Sequence, residues 1–285
     1  MKITGRTKVV GIFGDPVEHS ISPYIHNASF EALGLDYVYV PFRVKKERLP
    51  QCVEAIRALN MAGVNVTIPH KESIIELLDE LDSEAAEIGA VNTVVNTRGR
   101  LKGYNTDCQG YLNSLTEETG FDPAGKTIIV VGAGGAGRAV VYGLVKRKPE
   151  RLIIANRTIE RARSLAEEVA ERYGSVELVA TTLKIEQYLP ACHLLVNTTS
   201  VGMQGAKGGL VVPIEGLPED AIVSDIVYKP LDTPLIKEAE RLGLRVHRGL
   251  GMLVHQAALS FELWTGKKPS IEGMKFTAVQ SMEAL

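Results

Sequence analysis

The sequence predicts an α/β protein built as two domains, and three observations lead to this fold class. Short apolar runs rich in Val and Ile alternate along the chain with longer segments of helical spacing, which is typical of open sheets covered by helices. A glycine-rich turn follows one of these runs near the middle of the chain. The length of 285 residues suggests about two domains, each large enough for its own core.

The composition argues against several classes of protein. With 45% hydrophobic and 23% charged residues, a net charge of -2 and no long run of one sign, the chain is not expected to bind nucleic acid or a membrane surface. No apolar stretch approaches the ~20 residues that span a bilayer. The first residues run almost at once into a predicted strand, so we expect no signal peptide and a cytoplasmic protein. The three cysteines and six histidines are scattered, so neither a disulfide framework nor a metal site is expected.

Strand and helix alternate over the first 110 residues. We predict strands over 9–13, 36–44, 63–69, 90–96 and 101–105, and helices over 23–33, 47–60 and 71–81. Polar side chains lie within and after these strands. Ser20 and Ser22 lie in the loop after 9–13, and Asn92 lies within 90–96, while Asp107 follows 101–105. Thr67, His70 and Lys71 lie at the end of 63–69, where ligands bind in open α/β sheets.

Two of these residues have an alternative explanation as helix caps. Ser22 precedes Pro23, and serine followed by proline is a strong helix start. Asp107 precedes a helix expected over about 110–120 and is an equally good cap. Ser20 has no such explanation, and two hydroxyls two residues apart suit a polyhydroxylated ligand. The spacing alone leaves both roles open for Ser22 and Asp107.

The middle of the chain carries the pattern of a dinucleotide site. The buried strand 126–131 leads into G-x-G-x-x-G, formed by Gly132, Ala133, Gly134, Gly135, Ala136 and Gly137. The first glycine makes the tight turn, the second admits a pyrophosphate, and the third lets helix pack on strand. A helix follows from Arg138, and a second strand covers 151–155. We therefore predict a doubly wound, Rossmann-type domain in this half.

The end of the second strand indicates which dinucleotide binds. NAD sites usually have an Asp or Glu there, whereas this chain has Asn156, Arg157 and Thr158, followed by Arg161. A charge-assisted hydrogen bond contributes roughly 1.5 to 3 kcal/mol, so one or two bonds to a 2'-phosphate favour NADP by about tenfold to several-hundredfold. The sequence therefore predicts NADP as the cofactor.

The remaining segments continue the alternation. We predict strands over 176–180, 193–197, 221–227 and 244–247, and helices over 159–173, 233–242, 253–265 and 271–283. Thr198 ends one strand, where the ribose or nicotinamide of the cofactor is expected. The glycine-rich and proline-rich segment 201–220 is expected to be a long mobile loop. The last helix has Met274, Phe276, Val279 and Met282 at core spacing.

Eight motifs, taken in order, resemble those of the shikimate dehydrogenase family over nearly the whole chain. In the first half they are GDPVEHSISP (14–23), NVTIPHK (65–71), GAVNT (89–93) and GYNTD (103–107). In the second half they are GAGGAG (132–137), NRT (156–158), DIVY (225–228) and GLGMLVHQ (249–256). The resemblance implies reduction of 3-dehydroshikimate to shikimate with NADPH, a step of aromatic amino-acid biosynthesis.

The resemblance also implies roles for individual residues. Lys71 and Asp107 are expected to be the catalytic pair, since proton delivery must accompany hydride transfer to a ketone. The implied substrate residues are Ser20, Ser22, Thr67, Asn92, Tyr228 and Gln256. The cofactor set gains Val227, Gly249 and Met252 beside Thr198 and the residues named above. The expected domains are a substrate-binding and catalytic domain, 1–110 plus 250–285, and an NADP-binding domain, 111–249.

Two other functions remain open at this point. A quinate/shikimate dehydrogenase with relaxed cofactor choice has a similar sequence pattern, although Arg157 and the serine at position 22 lean against it. A non-catalytic NADP-binding sensor is also compatible with the fold, since fold does not fix function; the presence of both Lys71 and Asp107 leans against it. The expected partner is a small-molecule substrate, and the protein is expected to be a monomer or a homodimer.

Overall fold

The computed structural model describes residues 2–205 and 209–283, and the chain divides into two compact α/β units. The first unit comprises residues 1–110 and 254–285, and the second comprises residues 111–253. Both crossings between units fall within helices, α4 (Asp107–Thr119) and α8 (Gly249–Thr265). The predicted two-domain α/β fold is confirmed.

In its described residues, the first unit contains a six-stranded sheet in the order β2-β1-β3-β5-β6-β4. The strands are β1 (Lys8–Gly14), β2 (Tyr37–Arg43), β3 (Gly63–Val66), β4 (Glu80–Leu81), β5 (Thr93–Thr97) and β6 (Arg100–Tyr104). The other helices of this unit are α1 (Ser22–Ala32), α2 (Leu49–Ala58), α3 (Ser83–Ile88) and α9 (Ile271–Glu283). One face of the sheet packs on α2 through a core that includes Val64, Val66 and Ile56.

The pairing of these strands collects several loops at one edge of the sheet. β1 and β3 are parallel, whereas β5 is antiparallel to both β3 and β6. The end of β3 therefore meets the start of β5 and the end of β6. Backbone bonds fix this edge: Asp15 N donates to Ile68 O at 2.9 Å, Val66 N to Asn92 O at 2.8 Å, and Asn92 N to Tyr104 O at 3.1 Å.

The second unit contains, in its described residues, a fully parallel sheet in the order β12-β11-β10-β7-β8-β9. The strands are β7 (Thr127–Val131), β8 (Arg151–Ala155), β9 (Glu177–Thr181), β10 (Leu194–Asn197), β11 (Ile222–Asp225) and β12 (Arg245–Arg248). Its helices include α5 (Gly135–Val145), α6 (Ile159–Arg172) and α7 (Pro234–Arg241). This is the doubly wound order, and its topological switch point lies between β7 and β10.

The segment 71–81 is not the helix predicted from its spacing. It forms turns, a short 3₁₀ helix at Ile75–Leu77, and then β4, which pairs in parallel with β6. Asp79 N donates to Leu101 O at 3.0 Å, and Asp82 N donates to Gly103 O at 2.8 Å. These backbone bonds to β6 replace the intrahelical bonds, so tertiary pairing prevails over the helical pattern.

Three further expectations need correction or limits. Phe276 is 69% exposed rather than in the core. Ser22 does not cap α1, because the helix has no side-chain cap, and Ser20 Oγ instead accepts Ser22 N at 3.3 Å. Within 201–220, residues 206–208 lie outside the described residues, while Val212 and Ile214 are buried in the core and do not form a mobile loop.

No helix in the described part of the chain combines the length and apolar character needed to cross a membrane.

Candidate active site

A partly buried ion pair lies at the loop edge of the first unit's sheet. Lys71 Nζ donates to Asp107 Oδ2 at 2.5 Å, with side chains that are 15% and 6% exposed. Lys71 follows β3, and Asp107 follows β6 as the first residue of α4. Because little water reaches the pair, its electrostatic interaction is only weakly screened. The ammonium keeps enough exposure to meet a small molecule.

Asn105 explains why the carboxylate of Asp107 is available for this pair. Asn105 Oδ1 accepts the N–H groups of Asp107 at 3.0 Å and Cys108 at 3.2 Å, and its Nδ2 donates to Ala90 O at 2.9 Å. Asn105 therefore satisfies backbone donors at the start of α4, a role that the sequence left open for Asp107. The Asp107 side chain is directed to Lys71 and Asn92 instead.

Asn92 orients the other oxygen of the carboxylate. Its Nδ2 donates to Asp107 Oδ1 at 2.9 Å, while its Oδ1 accepts Thr106 N at 2.8 Å. A backbone N–H can only donate, so this bond fixes which end of the amide faces Asp107. Gln256 Oε1 lies 3.4 Å from the same Nδ2. Lys71, Asp107, Asn92 and Gln256 thus form one hydrogen-bonded group.

The hydroxyl candidates lie on loops after β1 and β3. Thr67 N donates to Phe13 O at 2.9 Å, and a Cβ at Gly14 would overlap the Thr67 methyl, so the two loops are in close contact. Ser20 belongs to the loop after β1, and Ser22 is the first residue of α1, which follows that loop. His70 does not join this group, because its buried ring donates from Nε2 to Val44 O at 2.6 Å. Tyr228 lies in the second unit, in the segment after β11.

The glycine turn of the second unit leaves open space where phosphates bind in this kind of fold. Gly132 has φ +115°, and a Cβ there or at Gly137 would collide with Thr198 Oγ1, which donates to Val131 O at 2.8 Å. By contrast, a Cβ at Gly134 would meet nothing within 4 Å. Gly132 and Gly137 therefore serve close packing, whereas Gly134 leaves the start of α5 open to an anion. Ala133 completes the turn, and Gly135 and Ala136 are the first residues of α5.

The end of β8 presents cations without an acidic residue at the strand tip. Asn156 Nδ2 donates to Thr158 O at 2.8 Å, and Arg161 N donates to Thr158 O at 3.2 Å, which fixes the turn into α6. Thr158 immediately precedes the helix, and the side chains of Arg157 and Arg161 are exposed. Two guanidinium groups beside a helix N-terminus suit a phosphate monoester.

The other cofactor candidates lie at the same edge of the second sheet. Thr198 follows β10 and Val227 follows β11. Gly249 begins α8, and a Cβ there would collide with the backbone oxygens of Ile226 and Val227. Met252, one turn on, is 6% exposed. The strand order places Gly132, Thr198, Val227 and Gly249 after four neighbouring strands, on the side where doubly wound sheets bind ligands.

Three family models match the chain. The shikimate dehydrogenase substrate binding domain matches residues 12–94, the shikimate/quinate 5-dehydrogenase model matches residues 115–203, and the shikimate 5'-dehydrogenase C-terminal domain matches residues 249–275. A curated relative from Methanopyrus kandleri, named shikimate dehydrogenase (NADP(+)), is 47% identical over 99% of this chain and 98% of its own length. The chain belongs to the shikimate dehydrogenase family.

Solved structures of shikimate dehydrogenases are similar over nearly their full length. One, in complex with NADP+, has a TM-score of 0.92 at 43% identity and covers 99% of this chain and 98% of that chain. Another, the shikimate 5-dehydrogenase of Thermus thermophilus in complex with NADP(H) and shikimate, has a TM-score of 0.85 at 40% identity, covering 96% and 99%. The family and the oxidoreductase class predicted from the sequence are confirmed.

Two features of this shikimate dehydrogenase family member did not emerge from sequence reasoning. One is the capping role of Asn105, for which the signal was present, since Asn two residues before Asp107 is itself a strong cap. The other is the buried carboxylate of Asp225, which ends β11 with 0% exposure. Among the described residues, no three or more His, Cys, Asp or Glu side chains are grouped to hold a metal ion.

Proposed function

We propose that the chain catalyses the reversible NADP-linked interconversion of 3-dehydroshikimate and shikimate, running as the reduction in aromatic amino-acid biosynthesis. The observation that carries this proposal is the partly buried Lys71–Asp107 pair at 2.5 Å, in a chain whose relatives are named shikimate dehydrogenase (NADP(+)). We assign every proposed substrate residue except Tyr228 to the first unit, and the cofactor residues to the second.

The cofactor residues fit NADP in their chemistry. Gly134 leaves room for a pyrophosphate at the start of α5, and Arg157 and Arg161 are exposed at the tip of β8 for a 2'-phosphate. Asn156 and Thr158 hold the turn that presents these arginines, while Thr198, Val227, Gly249 and Met252 line the far end of the same edge. When bound, NADPH supplies the hydride.

The proposed substrate residues are hydroxyl, amide and phenol groups suited to a carboxylate and ring hydroxyls. They are Ser20, Ser22, Thr67, Asn92, Tyr228 and Gln256. Lys71 then faces the reacting carbonyl: as negative charge develops on the carbonyl oxygen, its ammonium stabilises that charge and delivers a proton. Asp107 keeps the ammonium in place, and Asn92 keeps Asp107 in place. A positioned proton donor of this kind contributes roughly 10²- to 10⁴-fold to rate.

Turnover assays with a Lys71 variant test the proposal. NADPH oxidation should proceed with 3-dehydroshikimate, and Lys71→Ala should lower kcat by more than about 100-fold, because the proton donor is lost. NADPH affinity should change less than threefold, since Lys71 is not a cofactor residue. Lys267→Ala, which removes an exposed lysine of the same unit, is the matched control and should match the wild type.

The outcomes separate the alternatives. Equal or faster turnover with 3-dehydroquinate and with NADH would favour the quinate/shikimate dehydrogenase. Tight NADPH binding without turnover of either ketone would favour the sensor. Near-normal kcat in Lys71→Ala would remove this residue from the mechanism.

A further inference from the structure

Asp225 is a buried acidic side chain that the proposed chemistry does not use. It is the last residue of β11, it is 0% exposed, and burial raises the pKa of its carboxyl to about 6. Burying a carboxylate is unfavourable unless hydrogen bonds compensate. We therefore expect this carboxylate to make hydrogen bonds that a smaller or neutral side chain could not make equally well.

Three donors converge on this carboxylate, one from β10 and two from the segment after β11. Oδ1 accepts Val227 N at 3.0 Å and Asn197 Nδ2 at 3.0 Å, and Oδ2 accepts Thr233 Oγ1 at 2.7 Å. Asn197 is the direct register partner of Asp225 on the neighbouring strand β10. A carboxylate suits this position because both of its oxygens accept and neither donates.

The partners of Asp225 extend the connection into two loops. Asn197 Oδ1 accepts Thr199 N at 3.0 Å and Thr199 Oγ1 at 2.8 Å, so Asn197 orders the start of the segment after β10. Gln204 N donates to Lys229 O at 2.9 Å, which ties that segment to the one after β11. The two segments, 198–204 and 226–233, are thus held together by the Asn197–Asp225 pair and this backbone bond.

We infer that Asp225 is a positioning residue for the proposed reaction, because its Oδ1 fixes the two segments that carry Thr198, Val227 and Tyr228. This inference rests on the proposed function, in which those three residues meet cofactor and substrate. Asp225 itself touches neither ligand in this assignment. The Oδ2 bond to Thr233 has a separate task, since Thr233 Oγ1 accepts Ile236 N at 3.2 Å and caps α7.

Full-length variants separate positioning from general stability. Asp225→Ala removes both Oδ1 bonds, and the Kd of NADPH, measured by its fluorescence on binding, should rise at least tenfold with a fall in kcat. Thr233→Val keeps both Oδ1 bonds but removes the cap of α7. It should lower the melting temperature while leaving Kd and kcat within about threefold of the wild type. Asp225→Asn retains an acceptor for Val227 and Asn197, so it should restore NADPH binding to within about threefold.

A second variant covers the case in which Asp225→Ala fails to fold. Asn197→Ala leaves the carboxylate in place and removes its partner on β10, and it should raise the Kd of NADPH at least fivefold. The inference is overturned if Asp225→Ala, or Asn197→Ala where Asp225→Ala does not fold, binds NADPH within threefold of the wild type. It is also overturned if Thr233→Val weakens NADPH binding as much as Asp225→Ala does. If the wild type neither binds NADPH nor reduces 3-dehydroshikimate, the proposed function fails instead.

Discussion

At the start of α4, Asn105 accepts the free backbone N–H groups, and Asp107 forms the ion pair with Lys71. A single aspartate could not do both. The carboxylate of an aspartate at this position normally accepts hydrogen bonds from free backbone N–H groups, which hold it against the helix. Asn105 takes the N–H groups of Asp107 and Cys108, so the carboxylate of Asp107 can bind Lys71 and Asn92. The ion pair between Lys71 and Asp107 thus depends on Asn105, a neutral residue two positions before Asp107.

The two arginines at the tip of β8 carry a prediction about cofactor choice. Replacing both, as Arg157→Ala with Arg161→Ala, should raise the Kd of NADPH by about tenfold to several-hundredfold, because one or two charge-assisted bonds to the 2'-phosphate are lost. The Kd of NADH should change less than threefold, since NADH lacks that phosphate. Titration of cofactor fluorescence measures both constants.

Arg163 provides a matched control for this pair. It lies on the same helix α6 and is also exposed, but it is further from the tip of β8, so Arg163→Ala should leave both constants unchanged. Equal weakening of NADPH and NADH in the double variant would mean that the arginines do not read the 2'-phosphate.

At the scale of elements, the glycine turn separates packing from ligand access. A Cβ at Gly134 meets nothing within 4 Å, and its φ of -92° is open to any residue, so Gly134→Ala should leave the free energy of unfolding nearly unchanged. The added methyl occupies the space proposed for the pyrophosphate, so the Kd of NADPH should rise at least tenfold. Urea unfolding and cofactor titration give the two quantities.

Gly174→Ala is the control for that variant. Its nearest neighbour would be Ala170 O at 3.6 Å, an ordinary contact, and it follows α6 at the end away from the strand tip. It should change neither stability nor affinity to a notable extent. Unchanged NADPH affinity in Gly134→Ala would show that no phosphate approaches this glycine.

Helix α1 contains a histidine whose surroundings predict sensitivity to acid. His26 is 0% exposed and stacks on Tyr39 at 4.4 Å between ring centroids, and neither ring nitrogen has a hydrogen-bond partner among the described residues. Burial lowers the pKa of His26 to about 3, against an ordinary value of 6.5. A lowered histidine pKa gives stability that is present above pH 6.5 and lost as pH falls towards 3.

Replacing His26 by phenylalanine tests whether His26 makes the folded state less stable as the pH falls. Between pH 6.5 and pH 4.5 the wild type should lose roughly 2 to 3 kcal/mol of unfolding free energy more than His26→Phe, because only the wild type has this group to protonate. Urea unfolding at a series of pH values gives both curves. Parallel curves for the two proteins would show that His26 does not remain neutral in the folded state.

These elements also show what sequence reasoning could and could not predict. The strands could be predicted because buried β-branched runs such as Thr127–Val131 have few alternative structures. The end of a predicted strand drew attention to Lys71, whereas its pairing with Asp107 followed only from the family resemblance. The structure of the segment 71–81 could not be predicted from its sequence, because β4 depends on pairing with β6, a strand about 20 residues away. Phe276 was misplaced because helical spacing identifies a face of α9 but not how far the neighbouring surface extends over it.

At the scale of the whole molecule, the first unit is assembled from both ends of the chain. The returning segment, 254–285, is fixed in this unit by Trp264, whose Nε1 donates to Val94 O at 3.0 Å and whose backbone oxygen accepts Tyr37 Oη at 3.1 Å. The same segment brings Gln256 to Asn92. A candidate substrate residue 164 positions from Asn92 in sequence is therefore placed by the return of the C-terminal helices.

The cofactor residues are proposed in the second unit, and every proposed substrate residue but Tyr228 is in the first. This division predicts where hydrogen exchange slows in the full-length protein. NADPH alone should protect peptides covering 132–137 and 156–161, because those backbone groups are proposed to meet its phosphates. Shikimate alone should protect peptides covering 67–71, 90–92 and 105–107, where the Lys71–Asp107 pair lies. Peptides of α2, which carries no proposed ligand residue, provide an internal control. They should exchange equally in the free protein, with NADPH alone and with shikimate alone. If NADPH protected 67–71 and left 132–137 unchanged, the roles proposed for the two units would have to be exchanged.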